Sequence, residues 1–553
     1  MGTLFHHVAV YRNREKFDQA VLVDGDRIRG TGTEAEMTAL AASLGTVERI
    51  DGRGGLLLPG FHDSHLHLRH FGSTVHEIDV REVSSIDSLV EKGKAALERI
   101  APEPGSVVHG GGWNQEDFQD RAGEAPLNRY PTRRDLDRIT TRHALILTRI
   151  CGHTVCCNTK ALEMAEEAGL EKLLMGNHAE RDGAGKPLGI FYEQAAFTLC
   201  QRLVRPFTRA QLRSQVEYGI ARALTLGITS LDTNDVFDDN WDQIMGAYRS
   251  VLDEGKYPIR VGLQCNLTKK ALLDEFCRRG WVTGATLGHP LLKMGALKLF
   301  ADGTLGSRTA FLSSPYADDP GNQGLQAMSA QALDAAVKDG DDRGFQVIVH
   351  AIGDAAADQV LRSIEAVISE AVVSPGHNPR RHGLVHGEVL SEALLDRMAR
   401  NNIAAFVQPA FLTHDIFFAE SRLGRKRTRY LLPCASLARR GIPTGYGTDC
   451  PVESLNPLEG IACAVLRRPP VPGGGDTEGF FPEERVDRYT AVDAYTHGSA
   501  LVTGEDRHKG RIQPGRLADL VLLDRNIFTV PADEIPAAKV LLTLVGGVIA
   551  FRV

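Results

Sequence analysis

Long runs of one charge are missing from this chain, and so are several other features that would fix its class at once. The 553 residues carry a formal charge of only -7, with neither sign gathered into blocks, which argues against a nucleic-acid or anionic-membrane surface as the main partner. The opening MGTLFHHVAVYRNREKF lacks a sustained apolar core after a basic start, so no secretory leader is read there and a cytoplasmic protein is expected. The most apolar late segment, VLLTLVGGVIAFRV, is too short and too interrupted by glycine to span a membrane, and reads as two strands around Gly546 and Gly547. Nine cysteines, odd in number and scattered, fit reduced thiols better than a disulfide framework. Cys151, Cys156 and Cys157 cluster without a CxxC spacing, so they do not read as a structural zinc site. What remains is an ordinary globular composition, 43% hydrophobic and 24% charged, with a small-molecule substrate as the expected partner and neither nucleic acid nor membrane.

A chain of this length is expected to form at least two domains. Residues 20–32, AVLVDGDRIRGTG, alternate apolar and polar around Asp24-Gly25-Asp26, a hairpin pattern that residues 45–50 extend. After Gly510, RIQPGRLADLVLLD and KVLLTLVGGVIAFRV give further short strands. Two strand-rich ends predict one β-sandwich composed of residues 1–57 and 505–553, with 58–504 as a continuous middle.

That middle alternates apolar, β-branched runs with helical patterns. The runs are the segment around 58–68, then 226–233, 257–265, 296–303, 345–354, 382–388, 402–410 and 442–450; helices are expected at 209–226, 329–343, 355–370, 391–401 and 456–467. Eight strands with helices between them predict an α/β fold of the (β/α)8 type, a TIM-like barrel. Two more strand candidates, SVVHGGGW (106–113) and HALILTRI (143–150), fall in a stretch far longer than an ordinary βα connection. Residues 71–205 are therefore expected to form an inserted capping subdomain, a lid that sets substrate size.

The segment LPGFHDSHLHL places His65 and His67 two residues apart after the apolar run Leu56-Leu57-Leu58, which is taken to supply the strand. On a strand, positions i and i+2 face the same side, about 7 Å apart along the chain, so both imidazoles can converge on one ion. Lys298, His350, His386 and Asp449 each close a later strand segment, the end at which a barrel carries its functional residues. Singly, each also reads as a hydrogen-bonded structural residue, and Asp449 as a turn cap. Placed together they form a candidate metal site.

The motifs PGFHDSHLHL, GGGWNQEDF, GHTVCCNTKAL, GITSLDT, LKLFADGTLGSRTAFL, VHAIGD, YGTDCPVESLNPLEGI and GRIQPGRLADLVLLD resemble the amidohydrolase superfamily, and its YtcJ-like branch in particular, which includes N-substituted formamide deformylases. The resemblance runs nearly end to end and implies a metal-dependent hydrolase acting on non-peptide carbon-nitrogen bonds. It implies His65, His67 and Asp449 as ligands of a first divalent ion, His350 and His386 as ligands of a second, and Lys298 as a bridge after carbon dioxide converts it to a carbamate. Zinc is the expected metal because most of these ligands are imidazoles. Asp449 is the expected proton shuttle; His153 and Trp113 are candidates to contact substrate, and Asp302 is placed with them. Asp302, on the same strand face as Lys298, is also the partner an unmodified lysine would pair with, which would leave a single-metal site. A deaminase, or an ester or lactone hydrolase, is the alternative on the same site; a non-catalytic scaffold is a third reading, against which all six ligand candidates are retained. The sequence departs from the family pattern at Asn114, Phe118 and Cys156-Cys157, all in the insertion. A homodimer is expected by analogy alone.

Overall fold

The computed structural model describes residues 2–81, 83–115, 118, 121–122, 125–126, 129–150, 154–370, 377–470 and 478–553. They fall into two compact units, Met1–Leu68 with Gly219–Val553, and Arg69–Tyr218. Among the described residues, no helix is long and apolar enough to cross a membrane.

In the first unit eight strands lie side by side in chain order: β1 (Phe61–Leu66), β2 (Ile228–Phe237), β3 (Arg260–Asn266), β4 (Leu292–Phe300), β5 (Val347–Ala351), β6 (Gly383–His386), β7 (Ala404–Val407) and β8 (Thr444–Tyr446). Each neighbouring pair is parallel. Strands such as VIVHA and AAFV are buried at every position, as required where helices cover one face of a parallel sheet and the barrel core fills the other. All five expected helices form, at Arg209–Thr225, Ala330–Asp342, Asp354–Glu370, Glu392–Arg400 and Pro457–Leu466; Ser329, Ser391 and Asn456 each cap theirs by accepting a backbone N–H.

Among the described residues no ladder joins β8 to β1, and the seam is closed by other bonds. Asp449 N donates to His65 O at 2.9 Å and His67 N to Cys450 O at 2.7 Å, while Thr448 Oγ1 donates to the buried Asp63 Oδ2 at 2.6 Å. Gly447 is required for this approach, since a Cβ there would stand 2.7 Å from His65 N and 2.9 Å from Asp63 Oδ1.

The two chain ends build two further sheets. One is four-stranded and drawn from residues 2–51; in the other, Leu56–Pro59 lies between Ala9–Asn13 and Leu520–Leu523. Phe5, Val21, Leu57, Leu520 and Leu544 share one buried core, and the expected hairpins form around Gly25 and around Gly546-Gly547, all three at positive φ. The structure corrects one assignment here. Leu56–Leu58 do not supply the strand of the two histidines; they pair with Leu523–Val521 in the sandwich. The chain leaves that sheet at Gly60, where a Cβ would meet Thr229 at 2.2 Å, and begins β1 at Phe61.

At the N-terminal end of the barrel, the Glu505 carboxylate lies between Lys293, at 2.8 Å, and the buried Lys509. Lys509 Nζ also donates to Ser230 Oγ of β2 at 2.9 Å. A cavity of about 260 Å³ opens beside them, lined in part by Asp232, Arg260, Lys293 and Glu505, at the end of the strands away from the histidines. Burial raises the Glu505 pKa, yet the charges of Lys509 and Lys293 outweigh it and hold the group well below the usual carboxylate range. A depressed folded pKa contributes stability that is fully present above the unfolded value of about 4.3 and disappears as the pH falls through the folded value. Glu505→Gln, which leaves Lys509 buried without its counter-charge, is expected to cost roughly 3 kcal/mol at neutral pH. In denaturant titrations, the gap between the two proteins should narrow below about pH 4; a gap that persists unchanged there would assign the loss to packing.

The Arg69–Tyr218 unit holds a six-stranded sheet that includes both of the expected strands, Val107–Trp113 and Ala144–Arg149, as a parallel pair. Along the second, Leu145 and Leu147 enter one core while Ala144 and Ile146 enter another, the period-two alternation of a sheet covered on both faces. Cys156 and Cys157 divide between the same two cores and are fully buried.

Candidate metal centre

Each of the six expected ligand residues stands at or just beyond the end of a barrel strand: His65 on β1 and His67 just after it, Lys298 on β4, His350 on β5, His386 on β6 and Asp449 after β8. His65, Lys298, His350, His386 and Asp449 are buried, and the His67 side chain is 25% exposed. His65 Nε2 and His67 Nε2 lie 3.5 and 3.2 Å from Asp449 Oδ1. Among the described residues, these three are the one set of histidine, cysteine and carboxylate groups whose donor atoms all lie within 4.8 Å of one another. The His386 ring stands 5.8 Å from that of His65 and 4.5 Å from that of His350, centroid to centroid. Lys298 Nζ is over the Phe300 ring at 4.0 Å.

The ring orientations suit a cation. Nδ1 of His65 lies 2.6 Å from Gln264 Oε1, that of His67 2.9 Å from Asn234 O, and that of His386 2.8 Å from Gln408 Oε1. An oxygen at Nδ1 fixes the proton there and leaves Nε2 with its lone pair exposed, the tautomer a metal needs. His65 Nε2 and Asp449 Oδ1 are buried with no hydrogen-bond partner. Two adjacent lone-pair atoms left unpaired inside a protein are costly unless something electron-poor sits between them. The residues present thus fit a divalent cation. His350 is turned differently, with Nε2 3.0 Å from Gly303 O, so Nδ1 is its remaining nitrogen.

The backbone carries strain at the same place. His386 and Asp449 have φ of +73° and +54°, conformations that cost about 1–3 kcal/mol each and persist where the surroundings over-determine them.

The electrostatics follow from burial. Desolvation drives the pKa of His65 and His386 well below that of a free imidazole, assisted by Lys298 near His65 and by His350 near His386; His350 falls to about 4 for the same first reason, with Lys298 adding to it. Desolvation also brings Lys298 down to about 7 against the pull of Asp449. Burial raises the Asp449 carboxyl, but the His67 ring close beside it, with His65 and His386, more than reverses this and holds it well below the usual carboxylate range.

Two sequence expectations come out differently, and a third lies outside the described residues. Asp302 does not pair with Lys298: its buried carboxylate accepts the backbone N–H of Ile352, Gly353 and Phe311 at 2.8–3.0 Å, tying the loops after β4 and β5 together. Trp113 is fully buried in a core of the Arg69–Tyr218 unit and donates its indole N–H to Leu147 O at 3.2 Å, which makes it a packing residue there. His153 lies outside the described residues, as does Cys151. Sequence reasoning missed Gln264 and Gln408, although a polar residue closing an apolar strand segment, as in RVGLQCN and AAFVQP, was the signal available. The Asn234 carbonyl left no such trace.

Comparison with known proteins agrees with this geometry. The profile of the Amidohydrolase family matches residues 48–551. YtcJ of Bacillus subtilis (strain 168) is 31% identical over all of both chains. N-substituted formamide deformylase of Arthrobacter pascens is 26% identical over 98% of this chain and 96% of its own. The crystal structure of an uncharacterized metal-dependent hydrolase from Pyrococcus furiosus superposes with a TM-score of 0.74 at 26% identity, over 96% of this chain and all of the other. A barrel with a cation-ready cluster at its strand ends and relatives that match from end to end lead to one conclusion: this chain belongs to the amidohydrolase family, in its YtcJ-like branch, and is a metal-dependent hydrolase.

Proposed function

We propose that the chain hydrolyses a non-peptide C–N bond in a small amide or formamide, with two divalent ions, zinc by ligand type, held by His65, His67, Asp449, His350, His386 and carbamylated Lys298. The observation that carries the reading is the buried pair of unpartnered atoms, His65 Nε2 and Asp449 Oδ1. Divalent ions bound there supply Lewis acidity, which lowers the pKa of water towards 7 and polarises a carbonyl. Lys298, with its pKa lowered to about 7, offers the free amine that would add to carbon dioxide with loss of one proton; the resulting carbamate, a single negative charge shared by two oxygens, would serve as a ligand to the ions. Asp449, ionised and beside both β1 histidines, takes the proton of the attacking water and returns it to the leaving nitrogen.

The amide or formamide assignment draws support from the end-to-end likeness to a formamide deformylase. The test is a panel of N-formyl and N-acetyl amines, simple esters and lactones, and aminopurines, offered to zinc-loaded protein. Release of the amine with its carboxylic acid supports the reading. Ammonia release from the purines, or turnover confined to the esters and lactones, replaces it with the deaminase or the esterase.

The oxygen behind each imidazole gives a further prediction. Gln264→Leu removes the acceptor that holds His65 in its tautomer and should weaken metal affinity about 10- to 100-fold, read by competition with a chelating dye. Unchanged affinity would show that the ring is oriented by packing alone.

A further inference from the structure

The cavity of about 260 Å³ at the N-terminal end of the barrel enters no step of the proposed reaction, and its wall carries an unbalanced charge of each sign. The lining residues that matter are Asp232, Arg260, Gly262, Lys293, Glu505 and Lys509. All belong to the unit that holds the barrel, and Asp232, Arg260 and Lys293 stand near the starts of β2, β3 and β4. The volume falls just below the range of about 300–1,000 Å³ usual for small-molecule sites, which suits a small ligand.

Three cations and two carboxylates line this space, and their pairings do not cancel. Arg260 is committed to Asp519, which its guanidinium meets twice, at 2.7 and 3.0 Å. Lys293 and Lys509 both bond the Glu505 carboxylate, which balances only one of them. On β2, Asp232 Oδ2 is 2.7 Å from His62 Nε2, and among the described residues no lysine or arginine forms an ion pair with it. Burial, with the charge of Lys509 added, holds His62 below the ordinary imidazole range against the bond to Asp232, so this couple keeps the carboxylate's negative charge. The Asp232 side chain is only 10% exposed. Its other oxygen lies over Gly262, where a Cβ would stand 2.1 Å from Oδ1, so glycine is what leaves the carboxylate its place in the wall. A carboxylate so far from water is costly unless something positive reaches it. The surplus ammonium is close by: Lys509 Nζ donates to Ser230 Oγ at 2.9 Å, and Ser230 and Asp232 are alternate residues of β2, on one face and about 7 Å apart.

We propose that this cavity binds a free amino acid, or another small molecule carrying one ammonium and one carboxylate, whose ammonium meets Asp232 and whose carboxylate meets the lysine pair. A plain anion or a plain amine answers one surplus and leaves the other buried, so recognition requires both charges on one molecule. The site lies at the opposite end of the strands from the histidines and is independent of the chemistry assigned to them.

The probes are glycine, 4-aminobutanoate and 6-aminohexanoate, which set the two charges at increasing separation, each beside the carboxylate and the amine of the same chain that carry one charge only. Binding to full-length, metal-loaded protein is measured by isothermal titration calorimetry. At least one of the three is expected to bind about tenfold or more tighter than both of its singly charged analogues, the difference made by one further hydrogen bond between charged groups. In Asp232→Asn the amino acid should lose its advantage over the carboxylate, and in Lys293→Met its advantage over the amine. Lys293, whose side chain is 41% exposed, also serves alone if asparagine at 232 prevents folding. The absence of saturable binding by all three amino acids overturns the proposal, as does equal binding of amino acid and analogues. So does an advantage that survives unchanged in the folded variants, because the molecule then sits elsewhere.

Discussion

Asp449→Asn should lose at least about 100-fold in kcat on an N-acyl or N-formyl amine while keeping its metal, because a positioned base contributes about 10² to 10⁴ in rate. Asparagine retains the side-chain shape and one coordinating oxygen but cannot accept a proton from water. The native carboxylate is suited to the task by being buried and still ionised, with the two β1 histidines 3.2 and 3.5 Å from one of its oxygens. His65→Ala is the contrasting variant. It removes a neutral ligand and should empty the site, so that activity and metal content fall together. Near-native turnover by metal-replete Asp449→Asn would falsify the shuttle and move the base to His386 or His350, whose rings stand 4.5 Å apart in the same cluster.

The larger effect on composition is expected at Lys298. Its amine is buried within the barrel, and no ion pair joins it to Asp302, whose oxygens are committed to three backbone N–H groups. An ammonium at that position would repel any cation held by the histidines, whereas a carbamate would draw two together. Lys298→Ala, purified without chelator, should therefore drop from two equivalents of divalent metal per chain to one or fewer, and its turnover should fall with them. Elemental analysis of the folded variant decides the matter. Two equivalents retained without the lysine would defeat the bridge and return the centre to a histidine and aspartate site.

How far the sequence revealed these features depends on which interactions leave a mark in residue order. The barrel strands after β1 were legible as short apolar runs, and Lys298, His350, His386 and Asp449 interrupt or follow such runs at one end; β1, FHDSHL, is mostly polar and was placed through the apolar run Leu56–Leu58, which belongs to the sandwich. The hairpins around Gly25 and Gly546-Gly547 were legible from turn chemistry. The passage from sandwich to barrel was not. Leu56–Pro59 and Phe61–Leu66 are two buried strands in different sheets with one residue between them, and apolar composition carries no label of the sheet a strand joins. The roles of Asp302 and Trp113 were illegible for a different reason. A carboxylate that binds backbone N–H groups and a tryptophan that fills a core have the same residue type as a substrate contact, and only the identity of their neighbours distinguishes them. The left-handed backbone at His386 likewise has no signature in a histidine codon.

The seam between β8 and β1 also sets a timetable. Thr448 and Asp63, which hydrogen-bond across it, are 385 residues apart in sequence, and the same seam unites His65 and His67 with Asp449. At a translation rate of about 5–20 residues per second, the histidines leave the ribosome roughly 20 to 80 s before their carboxylate partner exists. Throughout that interval the nascent chain lacks the carboxylate that converges with the two imidazoles. Assembly of that three-residue set is thereby deferred until synthesis is nearly complete, and a chain released early by a nonsense codon anywhere before position 449 lacks it however well its first seven strands fold.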